Sequence, residues 1–280
     1  MVKIGQFNFL KIFRKTARGT FLEAGNLGQV FLPVAQTPSH CEVGDKIQVF
    51  LYRDSHDEVV ATTKKPRIEI GGTTCLKVLS VSRVGAFLDW GLPKDLLAPF
   101  GEQSKKMEVG EFHIVHAYED NTGRLCASSK LNKFIKAETS GLKAGDSVNL
   151  IVGDQTDLGY KMIVNQAYWG LLHHDDIFRE IKYGQKLKGF IKKLRADKRI
   201  DITLKQPGVS GDKSLASKIL AKIESGNGFS AINDKSPPEL IYQEFGVSKK
   251  VFKAELGALY KQRKILIGKD GIRFANTDKH

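Results

Sequence analysis

Shifting the chain against itself by 66 residues makes two long segments coincide, and a repeat of this kind fixes the architecture before any single motif is weighed. Gly19-Thr20-Phe21-Leu22-Glu23 falls on Gly85-Ala86-Phe87-Leu88-Asp89, Pro33 on Pro99, Val43-Gly44 on Val109-Gly110, and Tyr52 and Asp54 on Tyr118 and Asp120. Ala61-Thr62-Thr63-Lys64 then falls on Ala127-Ser128-Ser129-Lys130. A further shift of 74 carries Gly85 onto Gly159, Pro99 onto His173 and Gly110 onto Gly184. The chain to about residue 207 therefore holds three modules, 1–65, 66–137 and 138–207.

Each module is patterned as short alternating runs separated by glycines, such as Lys46-Ile47-Gln48-Val49-Phe50-Leu51 and Lys186-Leu187-Lys188-Gly189-Phe190-Ile191. Five such strands without a helical period suit a small five-stranded OB-fold barrel. After Gln206-Pro207-Gly208 the period changes, and segment 211–276 reads as three helices and a hairpin. Leu215, Ile219 and Ile223 mark the first helix. Pro237-Pro238 opens the second, which stops at Gly246, and Ser248 caps the third, with Phe252, Leu256 and Leu259 inward. Ile265-Leu266-Ile267 and Ile272-Arg273-Phe274 flank the turn Gly268-Lys269-Asp270-Gly271. Three helices and a hairpin make a winged helix, so the expected fold class is mainly β with an α+β tail.

The chain carries 44 Lys and Arg against 31 Asp and Glu, a formal charge of +13, which favours an acidic partner such as nucleic acid. The surplus is concentrated between Lys182 and Lys205, where nine basic residues face only Asp197 and Asp201. Lys188, Lys192, Lys193, Arg195, Lys198 and Arg199 are the contact candidates of that run. In the tail, Lys249, Lys250, Lys253, Lys261, Arg263 and Lys264 form a basic face assigned to the third helix. It is mostly Lys, which suits phosphate contact better than base-edge readout.

Single strands are bound by stacking bases on rings beside a positive groove. Phe21, Phe87 and Tyr160 occupy or adjoin one recurring strand position. A lone strand Phe is more often a core residue, and the recurrence is what raises the binding reading. Chemistry is not indicated. There is no Walker loop, nucleophile elbow or dinucleotide fingerprint, and Asp54, Asp120 and Asp197 come one per module instead of as a convergent carboxylate set. His173-His174-Asp175-Asp176 alternates faces on a strand, which splits any metal set. Cys41, Cys75 and Cys126 lack a C-x-x-C pair and suit a reducing compartment. The expectations are no catalysis, no metal or cofactor, no membrane association and a cytoplasmic location.

These residues resemble the S1-type RNA-binding domain. The second module carries Gly85-Ala86-Phe87-Leu88, Pro99, Val109-Gly110, Asp120 and Gly123-Arg124 of that signature. The third carries Gly170-Leu171-Leu172-His173, Gly184, Asp197 and Arg199, with Tyr160 and Lys161 where the Phe belongs. The first keeps Gly19-Thr20-Phe21 and Pro33 and lacks the terminal Gly-Arg. The order of three such barrels and a helical tail resembles the conserved virulence factor B family, bacterial RNA-binding regulators of gene expression. The resemblance implies a single-stranded RNA partner met at Phe21, Phe87, Pro99, Asp120, Arg124, Tyr160, Lys161, His173 and Arg199. It implies a role after transcription, with RNA-processing or translation partners. Two alternatives are a winged-helix transcription factor binding DNA and an RNA-binding subunit that recruits a nuclease.

Overall fold

A computed structural model describes residues 1–177, 180–205 and 215–275. The Pro207-Gly208 break and the outer limits of segment 211–276 lie outside the described residues. Met1–Ile135 and Lys136–His280 form two compact units.

In the first unit, β1 (Phe7–Thr16), β2 (Gly19–Glu23), β3 (Gln29–Pro33), β4 (Lys46–Arg53) and β5 (Val59–Thr62) close into a barrel in the order β1-β2-β3-β5-β4. The only parallel seam of that ring is β3 with β5. A second barrel repeats the plan with β6 (Thr73–Val81), β7 (Gly85–Leu88), β8 (Leu96–Pro99), β9 (Phe112–Glu119) and β10 (Leu125–Ser128). In the second unit, β11 (Ser147–Thr156), β12 (Gly159–Val164), β13 (Tyr168–His173), β14 (Lys186–Leu194) and β15 (Ile200–Thr203) make the third barrel. A 3-10 turn follows the third strand of every barrel, at Val34–Gln36, Phe100–Glu102 and His174–Asp176.

The offsets of 66 and 74 are the offsets of the strand register. Gly19 lies opposite Pro33, Gly85 opposite Pro99, and Gly159 opposite His173. A Cβ on these glycines would come within 2.3, 2.3 and 2.0 Å of the carbonyl oxygens of Leu32, Ala98 and Leu172. The glycine of Gly-x-Phe is thus required by close backbone approach between two strands. The third copy gains one residue in β14, where Ile191 pairs with Ile202 and Lys193 with Asp201. Lys192 is the extra residue, a β-bulge, and beyond it the offset from the second barrel is 75 instead of 74.

The first two barrels share a core. Phe50 and Tyr52 from β4 join Trp90, Leu92 and the β6–β10 interior in one buried cluster. The Phe50 and Tyr52 rings meet Trp90 edge-on at 5.8 and 6.3 Å. The third barrel fills its own interior with Val148, Leu150, Val152, Met162, Leu172 and Ile202.

The tail consists of α1 (Leu215–Ser225), β16 (Phe229–Ser230), α2 (Pro238–Phe245), α3 (Lys249–Lys261), β17 (Ile265–Ile267) and β18 (Ile272–Phe274). Pro238 starts α2, where its missing N–H is not needed, and Gly246 ends it in the left-handed conformation at φ 69°. The Ser248 side chain caps α3 by accepting from the Val251 amide at 3.4 Å. Ile219, Ile241, Phe252, Leu256, Leu259, Ile265 and Ile272 form the buried core. The expected hairpin is a three-stranded sheet in the order β16-β18-β17. The added strand is two residues long, too short to carry a period.

Candidate nucleic-acid interface

Alternation along β2 puts buried Thr20 and Leu22 into the first barrel and leaves Phe21 half-buried on its outer face. Across the strand pair Phe21 meets Phe31, which sequence reading missed, with ring centroids 5.3 Å apart. The Arg14 guanidinium lies 4.1 Å from the Phe21 ring centroid. In the second barrel Phe87 occupies the same position between buried Ala86 and Leu88, opposite Leu97.

In the third barrel that outer position belongs to Lys161, not to Tyr160. Tyr160 aligns with buried Thr20 and Ala86 and packs against the barrel core, edge-on to His174 at 6.2 Å. The ring on this face is Trp169 of β13, with Lys161 Nζ 3.8 Å from its centroid. Burial pulls the Lys161 ammonium down from the usual lysine range, opposed by the charge of Asp154. A cation over an aromatic face replaces the Phe of the other two copies.

The hairpin between the fourth and fifth strands supplies the charged groups. Asp120 accepts from the Thr122 amide at 2.8 Å and hydroxyl at 2.6 Å, and from the Arg124 amide at 3.0 Å. Arg124 Nε donates back to Asp120 Oδ2 at 3.3 Å. Burial pushes the Asp120 carboxyl up, but these hydrogen bonds and the Arg124 charge outweigh it and hold the pKa at about 2. Asp120 therefore orders the turn that presents Arg124, and Asp54 does the same by accepting from the His56 and Glu58 amides.

The third hairpin departs from the expected alignment. The Arg195 amide donates to the Arg199 carbonyl and the Lys198 amide to the Arg195 carbonyl, so Arg195 stands where Asp120 does, and Asp197 stands at the Thr122 position. The charge is answered across the strand by Asp201, which replaces Cys126. Asp201 Oδ1 accepts from Arg195 Nε at 2.9 Å and lies 3.2 Å from His173 Nε2. Burial raises the Asp201 carboxyl and the bonds from Arg195 and His173 lower it further than that. His173, Arg195 and Asp201 thus form one cluster at the end of β13 opposite Gly159. Pro99 holds the equivalent place in the second barrel, opposite Gly85.

The basic run is not uniformly free. Lys192 Nζ pairs at 2.6 Å with Asp176, which is buried at 7% exposure. Lys198 reaches Glu138 at 3.5 Å and Arg199 reaches Asp197 at 3.5 Å. Lys188 and Lys193 are exposed, as is Lys186, and none of the three has an ion-pair partner among the described residues.

On the tail, Lys250 and Lys253 are exposed on α3 and Lys261 is its last residue. Lys249 is half-buried, its Nζ donating to the Lys235 carbonyl at 3.3 Å. Arg263 and Lys264 lie beyond the helix, in the turn before β17, contrary to their assignment to the helix face. Their amides donate to Tyr260 and Leu259 carbonyls, because the chain must reverse there.

His173 and Asp176 are committed to Asp201 and Lys192, and no three His, Cys, Asp or Glu among the described residues are grouped to hold a metal ion. No helix among them is long and apolar enough to cross a membrane.

A cleft opens between the first two barrels beside Phe87. Arg53 and Asp57 from the first barrel and Lys94, Asp95 and Arg124 from the second line it, with Leu96, Leu97 and Leu125. Sequence reading missed Arg53, because nothing in the first module alone indicates that its hairpin reaches the second.

Residues 4–64 match the model of the S1 domain, and residues 217–274 match the CvfB-like winged helix domain. The chain therefore combines these two domain types. Over 93% of its length it is 28% identical to the Bacillus subtilis protein YitL, covering 90% of that protein. It is 22% identical to conserved virulence factor B of Staphylococcus epidermidis and 25% identical to that of Staphylococcus aureus strain USA300, across 94% of this chain and 92% and 91% of theirs. A solved multidomain protein with nucleic acid binding domains from Streptococcus pneumoniae is 23% identical, covers 97% of this chain and 98% of its own, and superposes with a TM-score of 0.44.

Proposed function

We propose that this chain, similar along nearly its whole length to the conserved virulence factor B proteins, is a non-catalytic single-stranded RNA-binding protein that regulates gene expression after transcription. The observation that carries the reading is the recurrence of one outer-face position through three closed barrels. That position is Phe21, then Phe87, then Lys161 over Trp169, in the second and third barrels beside a hairpin bearing Arg124 or Arg199. An S1-type barrel and a net charge of +13 support nucleic acid as the partner.

A half-buried ring on a strand surface offers its face to an unpaired base, and stacking is tolerant of sequence. The neighbouring arginines neutralise the phosphates on either side of that base. Duplex has its bases already stacked and gives such a surface little to hold. The exposed residues Lys250 and Lys253 of α3 add backbone contacts. Asp54 and Asp120 are occupied in ordering turns, which supports a binding role without hydrolysis. RNA-processing or translation factors are the partners this role calls for.

A salt-dependent titration of the full chain against single-stranded RNA, single-stranded DNA and duplex DNA tests the proposal. Single-stranded RNA binds tightest, and the labelled RNA is recovered intact with magnesium present. Tighter binding of duplex DNA would favour the transcription-factor reading, and RNA cleavage by the purified chain would overturn the non-catalytic one.

A further inference from the structure

We infer that the first barrel completes the binding face of the second, and that Arg53 and Arg124 together grip one unpaired nucleotide whose base lies on Phe87. The inference rests on the single-strand reading and adds a composite site to it.

The hairpin from β4 to β5 is fixed to the second barrel at two points. Lys94 Nζ donates to the Asp54 carbonyl at 2.6 Å, and Tyr52 packs edge-on against Trp90. Trp90 is itself tied down, its Nε1 donating to the Lys94 carbonyl. These contacts hold Arg53 in the lining of a cleft that also includes Arg124, Phe87 and Leu97, together with the carboxylates Asp57 and Asp95.

Neither arginine is used up by its own hairpin. Arg53 is engaged through Nη1, to the Asp57 carbonyl at 2.9 Å and, more distantly, the Asp57 carboxylate at 3.8 Å. Arg124 is engaged through Nε. A guanidinium has five N–H donors, so each keeps a fork for a phosphate oxygen. Two such forks in one cleft with a ring and three leucines outnumber, with Lys94, the two carboxylates of the lining, Asp57 and Asp95, and match one nucleotide with a phosphate on either side of its base. A flat protein segment would meet no use for paired cations there, and duplex is too wide to lower one base onto that ring.

The position also explains a departure in sequence. The first barrel has Glu58 where the second has Arg124, so its own hairpin lacks that phosphate ligand. Its basic residue is at the opposite end of the turn, at Arg53, and serves the neighbouring face.

The test uses the full chain and a dye-labelled unstructured RNA oligonucleotide in a fluorescence-anisotropy salt series. Arg53→Gln weakens binding roughly tenfold and flattens the log–log salt plot by about 0.7. Arg53→Lys, keeping the charge, retains most of the slope. The double variant with Phe87→Ala loses less than the two singles combined, because they act on one nucleotide. Wild-type affinity and slope in Arg53→Gln, with Phe87→Ala impaired, would overturn the composite site and leave the single-strand reading standing. No single-strand preference in the wild-type chain would remove both.

Discussion

Lys192 meets Asp176 at 2.6 Å because Lys192 is the bulged residue of β14, inserted relative to the second barrel and turned onto a buried carboxylate. The basic run that dominates the third module therefore contains lysines of two kinds. Lys186, Lys188 and Lys193 lie exposed without ion-pair partners among the described residues, whereas Lys192 holds the 3-10 turn after β13 against the barrel.

Replacing Lys186, Lys188 and Lys193 together with Gln should flatten the salt dependence of RNA binding by about two log units per log unit of salt, if all three meet phosphates, and leave the melting temperature unchanged. Lys192→Gln should do the reverse. It removes the ion-pair partner of buried Asp176, whose charge then meets only the more distant field of Lys205, and lowers stability by about 1–2 kcal/mol, with little change in slope. Anisotropy and calorimetry on the two variants separate the outcomes. A slope loss in Lys192→Gln alone would invert the assignment.

Phe87→Ala should weaken RNA binding by about 1–3 kcal/mol while costing only about 1 kcal/mol of stability, since the ring is half-buried. Leu88→Ala, one residue on and fully buried, should destabilise by about 2–5 kcal/mol. Equal thermal losses in both would place Phe87 in the core.

Gly85→Ala and Gly159→Ala each force a methyl group to within 2.3 and 2.0 Å of a carbonyl oxygen on the facing strand. Each should cost at least about 3 kcal/mol, because backbone and not a pliable side chain has to move. Gly101→Ala, where an added Cβ meets nothing within 4 Å, is the neutral control. Urea unfolding gives both numbers.

Asp120 has a folded pKa of about 2, below the ordinary unfolded value of about 3.9. Its contribution to stability is complete above the unfolded value and is lost as pH falls through about 2. The melting temperature of Asp120→Asn should therefore lie below wild type at pH 6 and converge on it near pH 2. A constant difference across that range would show that the turn does not depend on the carboxylate charge.

The strand register was legible from sequence because Gly19, Gly85 and Gly159 are required by close approach and so repeat at fixed offsets. The core of the tail was legible because Ile219, Phe252, Leu256 and Leu259 keep helical spacing. The third hairpin is displaced by the bulge at Lys192, which moves the counterpart of Asp120 from Leu194 to Arg195, whereas Asp197, two residues further on, matches Asp120 in residue type alone and not in register. Trp169 and Phe31 were missed for another reason. Alternation tells which residues of one strand share a face, but not which residue of the next strand stands beside them. Arg53 was hidden because its role is set by contacts between modules, and β16 because two residues carry no pattern.

The closure of the three barrels also bears on how the chain behaves in a crowded cell. Each of the fifteen barrel strands among the described residues has hydrogen-bonded neighbours on both sides. Rich as they are in β-structure, the described residues thus offer almost no open ladder to which another copy could add, the usual route to fibrous aggregation. The open borders among the described residues are β16 and β17 of the tail, two and three residues long. Among the described residues, a protein that recruits this one by extending a sheet has only those few backbone groups to grasp, and a recruiter needing more must read side chains instead.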